Sequence, residues 1–183
     1  VLIDTEQNTV YIDDTHISLD VGGIAKGFAT EKIAQSLESE GITTGAINAG
    51  GNNRTLGQKY DGSNWRVGIQ NPKGSDSILV VNMDGKCSFV TSGDYERYYE
   101  ATDGNKYHHI IDPETLFPAT NFHSVSIITE DSGVADCLST TLFTLSYEEG
   151  LKVLDTYRKE HPGTFFEAIW IMDEDKDIDT EYK

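Results

Sequence analysis

Apolar side chains recur every four or five residues at Ile24, Phe28, Ile33 and Leu37, the recurrence expected of an amphipathic helix. They predict a helix over 23–40 with those four residues as its buried stripe. Gly41 follows where a left-handed residue would end it. A second helix is predicted over 133–145, with Leu138, Leu142 and Leu145 turned to a core, and a third over 147–160. Elsewhere short β-branched and aromatic runs predict strands over 10–12, 16–19, 46–48, 65–70, 78–83, 87–91, 95–101, 106–111, 124–129 and 165–172. Their separators are turn formers: Asp13-Asp14-Thr15, a tight loop over 49–53, Asn71-Pro72-Lys73-Gly74, Asp84-Gly85-Lys86 and the hairpin signal Asp103-Gly104-Asn105. Runs of strands with three helices, not a regular strand–helix alternation, predict an α+β fold: a strand-rich mixed sheet with about three helices packed on it. No repeat, linker or low-complexity tract interrupts the chain, so 1–183 reads as a single domain.

Charge narrows the partners. Thirty-one acidic against 14 basic side chains give a formal charge of −17 over 183 residues. Such a surface repels nucleic acid and anionic membranes, so neither is an expected partner, and an anionic ligand needs a local positive feature. Lys26 can supply one. The two cysteines, Cys87 and Cys137, are too few to staple a fold of this size and are expected to be free. No apolar run approaches the roughly 20 residues that span a bilayer. The start at Val1-Leu2-Ile3 carries no signal peptide and reads as a trimmed terminus, so it does not indicate a compartment.

Four stretches carry candidate chemistry. In Asp20-Val21-Gly22-Gly23-Ile24-Ala25-Lys26-Gly27, glycines at a helix start let backbone N–H groups approach an anion, and Lys26 sits one turn in. The same glycines would also serve a plain tight turn. Asp20 repels a bare phosphate and fits better as an acceptor from a ring or ribose. Asn48-Ala49-Gly50-Gly51-Asn52 ends a strand in glycines, where backbone can approach a flat ligand and Asn48 offers donor and acceptor; an ordinary glycine turn has the same wording. Asp136 and Thr140, four apart on a helix, share a face; an oxygen pair suits a hard cation such as Mg²⁺, although a solvated helix face looks the same. In His108-His109, strand alternation sends the two rings to opposite sides. One can face a site as a general base, or both can be structural; Asp112 before Pro113 reads equally as a turn initiator. The alternating aspartates from Asp173 to Asp179 mimic a calcium loop, but Ile178 stands where glycine is needed, so they read as a solvated acidic tail.

Together the runs DVGGIAKGFA, INAGGN, SGDYER, HHIIDPETLFPA and SVSIITEDSGVADCLSTTLF, in this order, resemble the FAD:protein FMN transferases, the ApbE-type flavin transferases. The likeness covers nearly the whole chain. It implies an ApbE-like (T-fold-like) architecture. It also implies an enzyme that uses Mg²⁺ to split the pyrophosphate of FAD, moving FMN to a threonine or serine hydroxyl of an acceptor protein and releasing AMP. Asp136 and Thr140 match the family's metal ligands, and Gly23 the residue whose carbonyl completes that site. Asp20 and Lys26 match flavin-nucleotide contacts, Ile110 a backbone contact beside the ligand, and His109 the base for the acceptor hydroxyl. Asn48, Gly50 and Gly51 are placed with the cofactor.

Two departures stand out. Leu116 occupies a position where the family's turn has glycine. Family members are also longer, so the chain reads as the C-terminal part of a longer transferase whose preceding portion adds contacts to flavin and adenine. A hydrolase releasing FMN and AMP, and a non-catalytic flavin-binding module, are the competing readings; the second would not need Asp136 and Thr140. The resemblance alone implies an extracytoplasmic, periplasmic or lipid-anchored setting.

Overall fold

A computed structural model of the chain describes residues 1–95, 97–102 and 104–173. In chain order the elements are β1 (Leu2–Asp4), β2 (Thr9–Tyr11), α1 (Gly22–Ser39), β3 (Ala46–Ala49), β4 (Asn52–Leu56), β5 (Trp65–Gln70), β6 (Ser77–Met83), β7 (Lys86–Gly93), β8 (Tyr98–Glu100), β9 (Lys106–His108), β10 (Ser124–Thr129), α2 (Ser132–Thr144), α3 (Tyr147–Glu160) and β11 (Phe166–Ile171). The α+β arrangement is the one the pattern predicts, and every registered strand pair is antiparallel.

The centre is a five-stranded sheet in the order β11-β10-β7-β4-β3. Strand alternation gives it two buried faces. On one, Val90, Val125 and Ile127 pack with Leu142 and Phe143 of α2 and Leu154 of α3. On the other, Cys87, Phe89 and Ile128 meet Ile69 and Met83 from the β5–β6 hairpin. The three layers are therefore helices, sheet and hairpin. α2 is capped by the Asp131 carboxylate, which accepts from the Gly133 and Val134 N–H groups, and α3 opens on a reciprocal Ser146–Glu149 capping box. Both cysteines are free; Cys87 is buried, which pushes its thiol up to about 11, and Cys137 is exposed.

Three expectations are corrected. Residues 16–19 form no strand: Asp14 accepts from the His16 N–H and ring, and the Ile17 N–H closes a turn on the Asp14 carbonyl. The expected loop over 49–53 ends early, since β4 starts at Asn52 and is almost wholly buried. Most consequentially, the expected stripe is not the buried face of α1. Ile24, Phe28 and Ile33 are 45%, 59% and 52% exposed, and the buried residues are Gly27, Thr30, Glu31 and Ala34.

Fit and charge explain that choice. A methyl on Gly27 would overlap the Ser132 carbonyl oxygen and Asp136 Cβ, so only glycine lets α1 and α2 approach this closely. Glu31 goes inward because Arg54 of β4 meets it, Nε to Oε2 at 3.0 Å, while the Ser132 N–H donates to the same carboxylate. Burial raises the Glu31 carboxyl, but the Arg54 and Ser132 hydrogen bonds outweigh it and hold it below the usual range. Gly27→Ala is expected to destabilise the chain by about 1–3 kcal/mol through this overpacking. Denaturant melts of the two proteins measure it; equal midpoints would show that the helices can separate freely.

Candidate active site

A cavity of about 900 Å³ opens where α1, the β3–β4 turn, β5, the end of β7 and α2 meet. Asp20, Gly23, Lys26, Asn48, Gly50, Gly51, His109, Ile110, Asp136 and Thr140 all line it. Residues spread from position 20 to position 140 thus share one space, although the sequence offered each of them a bland alternative.

The oxygen-rich wall belongs to α1 and α2. Asp136 is only 3% exposed, and its Oδ2 accepts from the Gly27 N–H at 2.7 Å. That amide would ordinarily donate to the Gly23 carbonyl, four residues back in the helix. Sharing it with Asp136 lightens the demand on the Gly23 carbonyl. A methyl built on Gly23 would sit 3.5 Å from Thr140 Cγ2, so Gly23 and Thr140 are neighbours across the two helices. The hydroxyls beside them are ordered in a chain. Ser139 donates to the Asp136 carbonyl, which leaves Ser92 to donate to Ser139 at 2.8 Å and Thr140 to donate to Ser92 at 3.2 Å. The lone pairs of Thr140 Oγ1 then remain available. Among the described residues no three His, Cys, Asp or Glu side chains cluster as a metal site. The donor set is one carboxylate with hydroxyl and main-chain oxygens, and such hard donors fit Mg²⁺, which draws its other ligands from water and phosphate.

The start of α1 is less open to an anion than its glycines suggest. Asp20 Oδ1 accepts from the Gly22 N–H at 2.6 Å, so one helix-end donor is already taken. Lys26 Nζ instead reaches across to the β3–β4 turn, 3.4 Å from the Gly50 carbonyl and 3.3 Å from Asn52 Oδ1. That turn has two residues, Gly50 and Gly51, at φ 58° and 94°, the left-handed pair a tight hairpin needs.

The two histidines do separate. His108 Nε2 donates to the Ala119 carbonyl at 2.8 Å, its Nδ1 accepts from the Ile110 N–H, and its ring packs edge-on against Phe143. It is structural. His109 is exposed at the cavity wall, and its Nδ1 lies 3.3 Å from the Arg97 carbonyl. A carbonyl only accepts, so Nδ1 carries the proton and the Nε2 lone pair of the neutral ring is free. Ile110 lines the cavity with both backbone groups already engaged, its carbonyl accepting from the Ala119 N–H at 3.0 Å. One lone pair on that carbonyl remains.

Asp112 proves to be the turn initiator. Its carboxylate accepts from the Glu114 N–H at 2.8 Å and from the Thr115 hydroxyl at 3.1 Å. The Glu114 N–H is the first cause holding its carboxyl below the usual range. Leu116, standing where glycine was expected, adopts φ 61°; its N–H bonds the Asp112 carbonyl at 2.9 Å. The turn survives the substitution at a cost of about 1–2 kcal/mol for a left-handed side chain.

Sequence reasoning passed over Arg66, Phe89, Ser92, Tyr95 and Arg97, which also line the cavity. Ser92, Tyr95 and Arg97 lie in or beside SGDYER, a run quoted only for its wording. Phe89 and Arg66 sit on strands whose pairing a single sequence does not disclose.

Behind the loop that carries Tyr95 and Arg97, His123 Nδ1 meets Asp94 at 2.9 Å and Nε2 meets Asp173 at 3.1 Å, while Lys73 bonds Asp173 at 3.0 Å. Burial works against the charged ring, but hydrogen bonds to the two aspartates outweigh it and raise the His123 pKa. A pKa raised on folding stabilises below the unfolded value, and that stabilisation is lost as pH rises through the folded value. Melting temperature is therefore expected to fall as pH rises above the ordinary histidine value, and His123→Gln to flatten that fall. Parallel slopes in the two proteins would refute the ion pairing.

The ApbE family model matches residues 1–165. A FAD:protein FMN transferase of Treponema pallidum (strain Nichols) is 42% identical over 176 residues, 90% of this chain and 46% of that protein. One from Klebsiella pneumoniae (strain 342) is 36% identical over 157 residues, 84% of this chain and 47% of that protein. The chain thus spans about half the length of these relatives. Among solved structures, the Thermotoga maritima ApbE protein superposes with a TM-score of 0.77 at 36% identity, over 92% of this chain and 53% of that one. The flavin transferase ApbE of Vibrio cholerae gives 0.74 at 30% identity, over 92% and 51%.

Proposed function

Because the chain belongs to the ApbE family, we propose that it carries out Mg²⁺-dependent transfer of FMN from FAD to a threonine or serine hydroxyl of an acceptor protein, with release of AMP. The observation that carries this reading is the convergence of Asp136, Thr140 and Gly23 with His109 in one cavity of about 900 Å³. That volume suits a dinucleotide, since ligand pockets run to roughly 300–1,000 Å³.

Each group has a task its surroundings support. Asp136, Thr140 and the Gly23 carbonyl would hold Mg²⁺, whose chemistry when bound is to neutralise pyrophosphate charge and ease departure of the leaving phosphate. Lys26 and the Gly50–Gly51 turn bind the nucleotide. Asp20, its Oδ1 fixed by the Gly22 N–H, keeps Oδ2 to accept from the flavin or ribose. His109, with its proton held on Nδ1 by the Arg97 carbonyl, takes the hydroxyl proton on Nε2. The acceptor oxygen then bonds to the FMN phosphorus as the bond to the AMP phosphate oxygen breaks.

The setting we propose is extracytoplasmic, following the family resemblance; among the described residues no helix is long and apolar enough to cross a membrane. Incubating the chain with FAD, Mg²⁺ and a threonine-bearing acceptor peptide tests the function. A gain of one FMN unit in peptide mass, abolished by chelation, is expected. AMP without a mass gain would make the protein a hydrolase, and neither product would refute catalysis by this chain.

A further inference from the structure

The cavity must attract an anion within a chain of formal charge −17, and the start of α1 does not serve for this, because Asp20 occupies the Gly22 N–H and adds a negative charge. The positive feature lies on the opposite wall. Arg97 lines the cavity, and a methyl built on Gly50 would be 4.0 Å from its Nη2, so the guanidinium stands over the β3–β4 turn. Lys26 Nζ contacts the carbonyl of the same Gly50. The Gly50–Gly51 turn is therefore bracketed by two cations from distant parts of the chain.

Most of the other arginines are otherwise engaged. Arg54 is buried against Glu31, and Arg158 lies 3.9 Å from Glu167. Arg97 is exposed to the cavity and, among the described residues, forms no ion pair. An arginine in that state offers a planar fork of donors matched to phosphate oxygens.

We propose that Arg97, paired with Lys26 across the Gly50–Gly51 turn, binds the phosphate portion of the nucleotide. The assignment rests on the flavin-nucleotide reading of the cavity and adds to it a residue that the sequence did not single out. It also joins two functions in one place: the Arg97 carbonyl orients His109 while its guanidinium holds the phosphate, so the base and the phosphorus under attack share a single anchor.

Titrating FAD and riboflavin separately into the chain and into Arg97→Met, with metal chelated, tests it. Riboflavin shares the ring system and lacks the phosphates. FAD affinity is expected to fall roughly ten- to a hundredfold in Arg97→Met, the loss of a hydrogen bond to a charged group. Riboflavin affinity is expected to stay unchanged, and Arg97→Lys to recover part of the loss. Unchanged FAD affinity in Arg97→Met, or equal losses for both ligands, would overturn the assignment while leaving the flavin reading intact. If the unaltered chain binds neither ligand, the flavin reading itself falls, and Arg97 with it.

Discussion

Replacing Asp136 with alanine is expected to lower Mg²⁺-dependent FMN transfer by about a thousandfold or more while the chain stays folded. The rate estimate follows from the several kcal/mol that a bound cation contributes to phosphoryl transfer, each 1.36 kcal/mol being a factor of ten. Asp136 supplies the carboxylate of the oxygen wall and, at 3% exposure, does not belong to a solvated helix face. The substitution also strands the Gly27 N–H, at a cost of about 1–3 kcal/mol, which a domain of ordinary stability survives. Asp136→Asn separates the two effects. Its amide oxygen still accepts from Gly27, so its melting temperature should stay near that of the unaltered chain while transfer is lost. Transfer retained at saturating Mg²⁺ in either variant would remove Asp136 from the metal site.

His109→Ala is expected to slow transfer by roughly 10²–10⁴, the usual contribution of a positioned base, and to leave FAD affinity nearly unchanged. The ring sits at the exposed rim of the cavity, where an acceptor hydroxyl from another protein can reach it. Parallel losses in rate and FAD binding would make His109 a nucleotide contact and leave the base unassigned.

The helix-borne and alternating signals in the sequence were readable because their geometry is local. Asp136 and Thr140 share a face by helical spacing, and the neighbours His108 and His109 part company where β9 ends; both relations are local. What failed to show was set by distant partners. Asn52-Asn53-Arg54-Thr55-Leu56 is too polar to read as a core strand, yet it is buried because Glu31, on another element, neutralises Arg54. The inward face of α1 is set in the same way: Ile24 and Phe28 lie half a turn from Ile33 and Leu37, so these apolar residues share no single face, and Gly27 and Glu31 decide the contact. Arg97 carries no periodic or spacing signal, and its nearness to Gly50 is set by tertiary contact alone.

The outward stripe of α1 also bears on how this protein behaves in bulk solution. Ile24, Phe28 and Ile33, with Leu2 and Ile3 on the short edge of β1, leave sticky surface in contact with water. Mutual repulsion from the −17 formal charge opposes association through it. Acidifying toward roughly pH 4, where carboxylates protonate, or adding enough salt to shrink the screening length to a few ångströms, should make a clear solution turn cloudy while each molecule is still folded.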